Sequence, residues 1–138
     1  QLVEDKPGML KLQKIGDKQQ PYIRHFLNLN GLGIRDLCPR NNTLLVLAGP
    51  TMTLDGPLQV FSIPFADLKT DQRLHHPSLA IELPETSGGD RAEGLTLLES
   101  STEEILVGYD APTSPRLRKT GAVSADRFLL PKTDIDLG

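Results

Sequence analysis

The motif GIRDL at residues 33–37 leads, through an asparagine-rich turn, into the apolar run LLVLAGP at residues 44–50. The same order returns sixty residues later, where EGLTL at residues 93–97 precedes EILVGYD at residues 104–110. The two stretches align at this constant offset without a gap. A repeat of this size is one supersecondary unit that cannot bury its faces alone, so it must stack on a neighbour.

The chain between and around these motifs is patterned for strands. Eleven Pro and 12 Gly in 138 residues argue against long helices. Alternating segments at residues 22–29, 58–63 and 79–83 predict strands, and the apolar runs at 44–47 and 105–107 predict strands covered on both faces. The only place for a helix is residues 65–72. We therefore expect a single all-β domain over residues 1–138.

The order of segments is alike in the two copies. An alternating strand is followed by a Gly-rich loop, a short strand, a hairpin and the most hydrophobic strand, which predicts antiparallel four-stranded units of the β-propeller type. The repeat units span about residues 22–63 and 79–130, that is, two blades plus fragments of a partial propeller. A closed ring needs at least about four blades, so we expect either the remainder of a longer chain or self-association to complete the array.

Charge and composition exclude some partners. The net charge is −3, the basic residues are scattered and only two Tyr and four Phe are present, so nucleic acid is not favoured as a partner. The densest basic group, residues 116–119, is predicted to be a solvated strand or loop. No stretch approaches the roughly 18 apolar residues of a spanning helix, so no membrane insertion is expected. The single Cys38 excludes an internal disulfide and is predicted to be a buried small hydrophobe.

Acidic residues near the two motifs form the candidate metal site. If neighbouring blades converge on a channel, Glu93 and Asp36 lie near the same end, and Asp90 and Asp110 could add oxygen atoms. Such oxygens suit Ca²⁺, which takes six to eight of them. The alternative is structural: Glu93 pairs with an arginine or caps a turn.

The basic residues beside this group allow the same two interpretations. Arg35 lies in a short apolar strand, and a buried charge needs a partner. Arg35 and Arg91 are therefore either channel-lining residues, with Arg35 recognising an anion, or partners of Glu93 in an ion pair that joins adjacent blades. At the end of the second apolar run, Tyr109 is expected to anchor the sheet through its hydroxyl group.

Three segments resemble a known family. GLGIRDL and LLVLAGP within residues 28–50, AEGLTLL and ILVGYDAP within residues 92–112, and GPLQVFSIP at residues 56–64 are similar to an uncharacterised bacterial family, domain of unknown function 3616. Its members look like β-propellers and are longer, so this chain looks like their C-terminal portion. The resemblance implies a fold, leaves bacterial cytoplasm and periplasm both open, and supplies no activity. The EGL step at residues 93–95 is also similar to lactonase-like and phytase-like propellers, in which the Glu binds a divalent cation.

Two functions follow as hypotheses. The first is a binding or scaffolding module without chemistry of its own. The alternative is a Ca²⁺-assisted hydrolase of esters, lactones or phosphates, with Glu93 as a metal ligand. The sequence names no catalytic residue for either.

Overall fold

The computed structural model describes residues 2–15, 18–51, 55–84, 90–99, 101, 103–110 and 114–131. This part of the chain is all-β, as predicted, and none of its sheets closes on itself. Its strands are β1 (Leu2–Lys6), β2 (Met9–Leu12), β3 (Phe26–Leu27), β4 (Gly33–Arg40), β5 (Thr43–Gly49), β6 (Leu58–Pro64), β7 (Leu74–His75), β8 (Ser78–Leu83), β9 (Arg91–Leu97), β10 (Glu104–Asp110) and β11 (Asp126–Leu129).

The first sheet is antiparallel, in the order β4-β5-β6-β8. Its central strand β5 carries the first apolar run, and the side chains from Leu45 to Ala48 are completely buried. Both faces of this strand are therefore covered, as the lack of alternation predicts. The turn from β4 to β5 is made by Asn41 and Asn42, with Asn41 in the left-handed region at φ +49°.

The second sheet has the order β11-β10-β9, with the second apolar run in its centre. Ile105 and Val107 are completely buried, whereas Leu106 between them is half-buried. One face of β10 is thus fully covered, and the prediction of two equally covered faces is wrong for this strand. Among the described residues this sheet has three strands rather than the four expected of a unit.

The strand β8 lies where the predicted units did not place it. The unit at residues 79–130 assigns it to the second repeat, but its hydrogen bonds join it to β6 of the first sheet, with Ile81 opposite Val60. It is the outer strand that follows β4, β5 and β6 in chain order, so the first sheet ends there. Among the described strands, β9 is the first strand of the second sheet in chain order, and it packs against β4.

A shared core joins the two sheets. One face of the first sheet and one face of the second contribute to a single buried cluster, whose members include Leu45, Leu47, Val60, Ala92, Leu95, Ile105 and Val107. The other face of the first sheet is covered by the segment before β4, where Leu29 packs with Val46, Ala48 and Phe61. The two sheets therefore stack on each other through this core.

The predicted strand at residues 22–29 is largely absent as a strand. Only Phe26 and Leu27 pair, and they pair in parallel with Leu74 and His75. The alternation is nevertheless real, because Leu29 is buried and Leu27 is half-buried while Asn28 between them is exposed. It reflects side chains packed on the first sheet and not a hydrogen-bonded ladder.

Helix is confined to two single 3₁₀ turns in the described part of the chain. Asp67–Lys69 falls within the predicted region, and Ser114–Arg116 was not predicted. No helix in the described residues is long and apolar enough to cross a membrane. Cys38 is buried and carries a free thiol, as expected of a small hydrophobe.

Candidate functional site

We refer to β4 and β9, the edge strands through which the two sheets contact each other, as the inner strands. Each of them carries an irregularity at a residue that the sequence singles out. Arg35 has no partner residue in the register of β4 against β5, and Glu93 has none in the register of β9 against β10. A β-bulge of this kind re-aims the side chain of the extra residue. Because β4 packs against β9, the two bulged residues are directed towards each other.

Arg35 and Glu93 form an ion pair between the sheets. Arg35 Nη1 donates to Glu93 Oε1 at 2.5 Å, and Arg35 Nη2 donates to the backbone carbonyl of Pro50. The side chains are 20% and 33% exposed, respectively, so the pair is partly shielded from water. This ion pair is the arrangement that the structural interpretation of Arg35 and Glu93 predicts.

Asp36 joins the sheets by a different contact. Its Oδ2 accepts the backbone N–H of Leu95 at 2.7 Å, and its Oδ1 accepts the N–H of Leu37 at 2.8 Å. β4 and β9 are edge strands of separate sheets, so none of the described strands pairs with the outward N–H groups of β9. The Asp36 carboxylate satisfies one of them.

The pairing of Asp36 with Leu95 also corrects the alignment of the repeat. Asp36 lies opposite Leu47 and Leu95 lies opposite Val107, and these two partners are equivalent in the central strands. Asp36 and Leu95 thus occupy matching positions, one residue from where the constant offset of sixty places them. The shift arises because the β4–β5 turn has two residues, whereas the β9–β10 connection is longer.

Asp90 belongs to a second polar cluster, at the start of β9. Its carboxylate accepts a hydrogen bond from Arg116 Nε, while Arg116 Nη2 donates to Asp126 Oδ2 at 2.7 Å. The Tyr109 hydroxyl donates to the same Asp126 oxygen at 2.8 Å, which confirms its anchoring role. The Arg116 guanidinium also lies 3.6 Å from the centre of the Tyr109 ring, a close cation–π contact.

Burial and charge shift the ionisation of this cluster. Burial raises the pKa of the Tyr109 hydroxyl, and its hydrogen bond to Asp126 raises it further. The hydrogen bond from Arg116 holds the pKa of Asp126 below its usual range. Perturbed values of this kind occur in structural networks as well as in active sites, and here every charged group has an opposite partner.

The burial of Arg116 contradicts the prediction that residues 116–119 form a solvated strand or loop. Its side chain is only 13% exposed and the Asp90 side chain only 5%, so the guanidinium is not solvated. The sequence gives no spacing signal for this contact, because Asp90, Tyr109 and Asp126 come from three separate segments. The remainder of the group, Arg118 and Lys119, is exposed as predicted.

The other predicted site residues lie apart. Arg91 and Asp110 face each other in the register of β9 and β10, and both are exposed. The structure thus brings Arg35, Asp36 and Glu93 together and directs Asp90 to Arg116. Within the residues described, no group of three or more His, Cys, Asp or Glu side chains is arranged to hold a metal ion. Calcium binding stays a prediction.

Two histidines that the sequence separates by fifty residues are in direct contact. His25 Nδ1 lies 2.9 Å from His75 Nε2, so one ring donates and the other accepts. His75 is buried. Burial lowers the pKa of His25, and the neighbouring His75 and Arg73 lower it further. The parallel pairing of β3 with β7 creates this contact, which sequence spacing does not reveal.

The family resemblance is confirmed by comparison with family models. The model described as Protein of unknown function (DUF3616) matches residues 1–126. The chain belongs to this family. No curated protein and no solved structure matches the chain. Membership in DUF3616 carries no activity, so the function must be argued from the geometry.

Proposed function

We propose that this DUF3616 chain is a binding or scaffolding module of the propeller type. The observation that carries the proposal is that charged residues on the inner strands are engaged in contacts within the fold. Arg35 and Glu93 hold each other across the sheets, and the Asp36 carboxylate holds the backbone of β9. Groups engaged in this way stabilise a rigid framework, since their donors and acceptors are already satisfied within the fold.

The first hairpin provides the surface for assembly. In the antiparallel register Leu2 faces Leu12, and Leu10 lies on the same face two residues from Leu12. All three side chains are exposed, and among the described strands β1 and β2 pair only with each other. A two-stranded hairpin is marginally stable alone, and an exposed apolar face favours association. A second copy of the chain is the partner we propose for this face in the isolated protein.

Light scattering over a range of protein concentrations tests the assembly. We expect the wild-type chain to associate and Leu10→Lys to shift the equilibrium towards monomer, because the new charge would be desolvated at the contact. Leu129→Lys is the matched control, since Leu129 on β11 is 66% exposed and Leu10 is 67% exposed. A wild-type monomer at all concentrations, or equal effects of the two variants, would refute this role.

The calcium-dependent hydrolase is tested by the isosteric variant Glu93→Gln. If Glu93 is structural, Ca²⁺ will leave the melting temperature of both proteins unchanged, and neither will hydrolyse p-nitrophenyl acetate or p-nitrophenyl phosphate above the buffer rate. The introduced amide retains an oxygen that can accept from Arg35, so the variant should fold. One Ca²⁺ bound per wild-type chain and lost in Glu93→Gln would overturn the scaffold proposal.

A further inference from the structure

A cleft lies away from the inner strands, beside the β3–β7 bridge. Its volume is about 470 Å³, and it is lined by Gln20, Pro21, Tyr22, Arg24, Phe26 and Arg73. This volume is within the range of sites for small molecules, roughly 300–1,000 Å³. The lining comes from two segments that are far apart in sequence.

These two segments are fixed to each other by a main-chain hydrogen bond between two of the lining residues. The Phe26 N–H donates to the carbonyl of Arg73 at 2.7 Å, and the His25–His75 hydrogen bond joins the same two segments beside it. The cleft therefore does not depend on a single loop for its shape. Its two walls are held by main-chain pairing, which favours a preformed site.

The charges that line the cleft are both positive. Arg24 and Arg73 are its two charged residues, and no ion pair found among the described residues includes either guanidinium. Two planar guanidinium groups suit a phosphate, since each can donate two parallel hydrogen bonds to its oxygens and a phosphate monoester carries about −1.5 to −2 charges at pH 7.

Aromatic rings stand beside these charges. Tyr22 is 53% exposed and Phe26 is 61% exposed, which is unusual for side chains that gain so much from burial. The Arg24 guanidinium lies 5.7 Å from the centre of the Tyr22 ring. Exposed rings of this kind can stack on any flat conjugated group.

We propose that the cleft binds a phosphate monoester carried on a planar ring, with Arg24 and Arg73 binding the phosphate and Tyr22 or Phe26 stacking on the ring. The chemistry is shared by aryl phosphates and nucleoside monophosphates. The site uses none of the residues of the hairpin face or the inner strands, so its test is independent of the proposed scaffold function.

The test is a titration of the ¹⁵N-labelled full chain followed by amide chemical shifts, with four probes: phenyl phosphate, adenosine 5′-monophosphate, adenosine and inorganic phosphate. We expect the two phosphate monoesters to shift the amides of residues 20, 22–26 and 73, and to bind more tightly than either adenosine or inorganic phosphate. If adenosine 5′-monophosphate binds much more tightly than phenyl phosphate, the ligand is a nucleotide. If the two probes bind equally tightly, the site recognises only the phosphate and the ring that carries it.

Matched variants separate the two parts of the site. Arg24→Gln and Arg73→Gln should each weaken phenyl phosphate binding roughly tenfold or more, since each variant removes charge-assisted hydrogen bonds to the phosphate. Arg118→Gln, an exposed arginine next to the second sheet, should bind like wild type. Tyr22→Leu with Phe26→Leu should weaken the monoesters towards the level of inorganic phosphate.

The amide spectra also show whether each variant is folded. The proposal is overturned if no probe shifts the cleft amides at millimolar concentration, or if Arg24→Gln and Arg73→Gln bind as tightly as Arg118→Gln. It is likewise overturned if inorganic phosphate binds as tightly as the monoesters, because the rings would then contribute nothing.

Discussion

Replacing Asp36 by Ala tests whether one side chain couples the two sheets. The carboxylate accepts two backbone N–H groups, but only that of Leu95 is shielded from water, because Leu95 is buried and the Leu37 contact is exposed. A shielded donor left unsatisfied costs about 1–3 kcal/mol. For a chain of 138 residues, 1 kcal/mol corresponds to about 3–4 °C in melting temperature. We therefore expect Asp36→Ala to melt about 3–10 °C below wild type.

Asp36→Asn should lower the melting temperature by a smaller amount than Asp36→Ala. Its side-chain oxygen can still accept the Leu95 N–H, but the bond is no longer charge-assisted, so about half of the loss is expected. Asp55→Ala is the control, since Asp55 is exposed and its removal changes the net charge equally; such surface changes stay within about 0.5 kcal/mol.

The assay combines calorimetry with amide hydrogen exchange. Calorimetry gives the melting temperatures, and exchange at Leu95 reports the lost acceptor directly. Faster exchange at Leu95 in Asp36→Ala, with intermediate exchange in Asp36→Asn, is the expected result. If Asp36→Ala melts within about 1 °C of wild type and Leu95 exchanges at the wild-type rate, the reasoning that Asp36 satisfies β9 is refuted.

Two further perturbations probe the buried polar clusters. Tyr109→Phe removes the hydroxyl that donates to Asp126 and keeps the ring beside the guanidinium, so urea denaturation should show a loss of about 1 kcal/mol; an unchanged midpoint would contradict the anchoring role. The folded-state pKa of His25 is lowered from 6.5, so the unfolded chain takes up the proton first and stability falls as the pH drops from about 6.5 towards the lowered value. His25→Asn places an amide near the His75 ring and should make this loss of stability smaller, as measured by urea midpoints across that pH range. Parallel pH profiles for the variant and the wild type would exclude the His25–His75 contact as the cause of the loss.

Sequence patterning predicted the elements whose side chains alternate or are uniformly apolar. The β5 run and the β6 strand at residues 58–63 were both located in this way, because the types of the side chains along a segment indicate which of them are buried. The same signal misled at residues 22–29, where alternation came from packing on a sheet without strand pairing. Alternation reports which side chains are covered, and it does not report what the backbone hydrogen-bonds to.

The candidate site was predicted in part. Residue type alone indicated that a charge such as Arg35 in an apolar strand must have a partner, and the repeat placed Glu93 in the adjacent unit. The Arg116 cluster and the His25–His75 contact had no such signal. Each is assembled from segments separated by long connections, and spacing along the chain carries no information about which of them meet.

The sequence by itself determined the all-β class and the two apolar central strands, since these depend on local periodicity and turn residues. Only the tertiary structure decided where one sheet ends and the next begins, which partner each charge has, and that two arginines and two aromatic rings share a cleft. Those outcomes depend on register and on contacts between distant segments. A shift of one residue, such as that between Asp36 and its expected counterpart, changes which side chains face each other while leaving the local pattern unchanged.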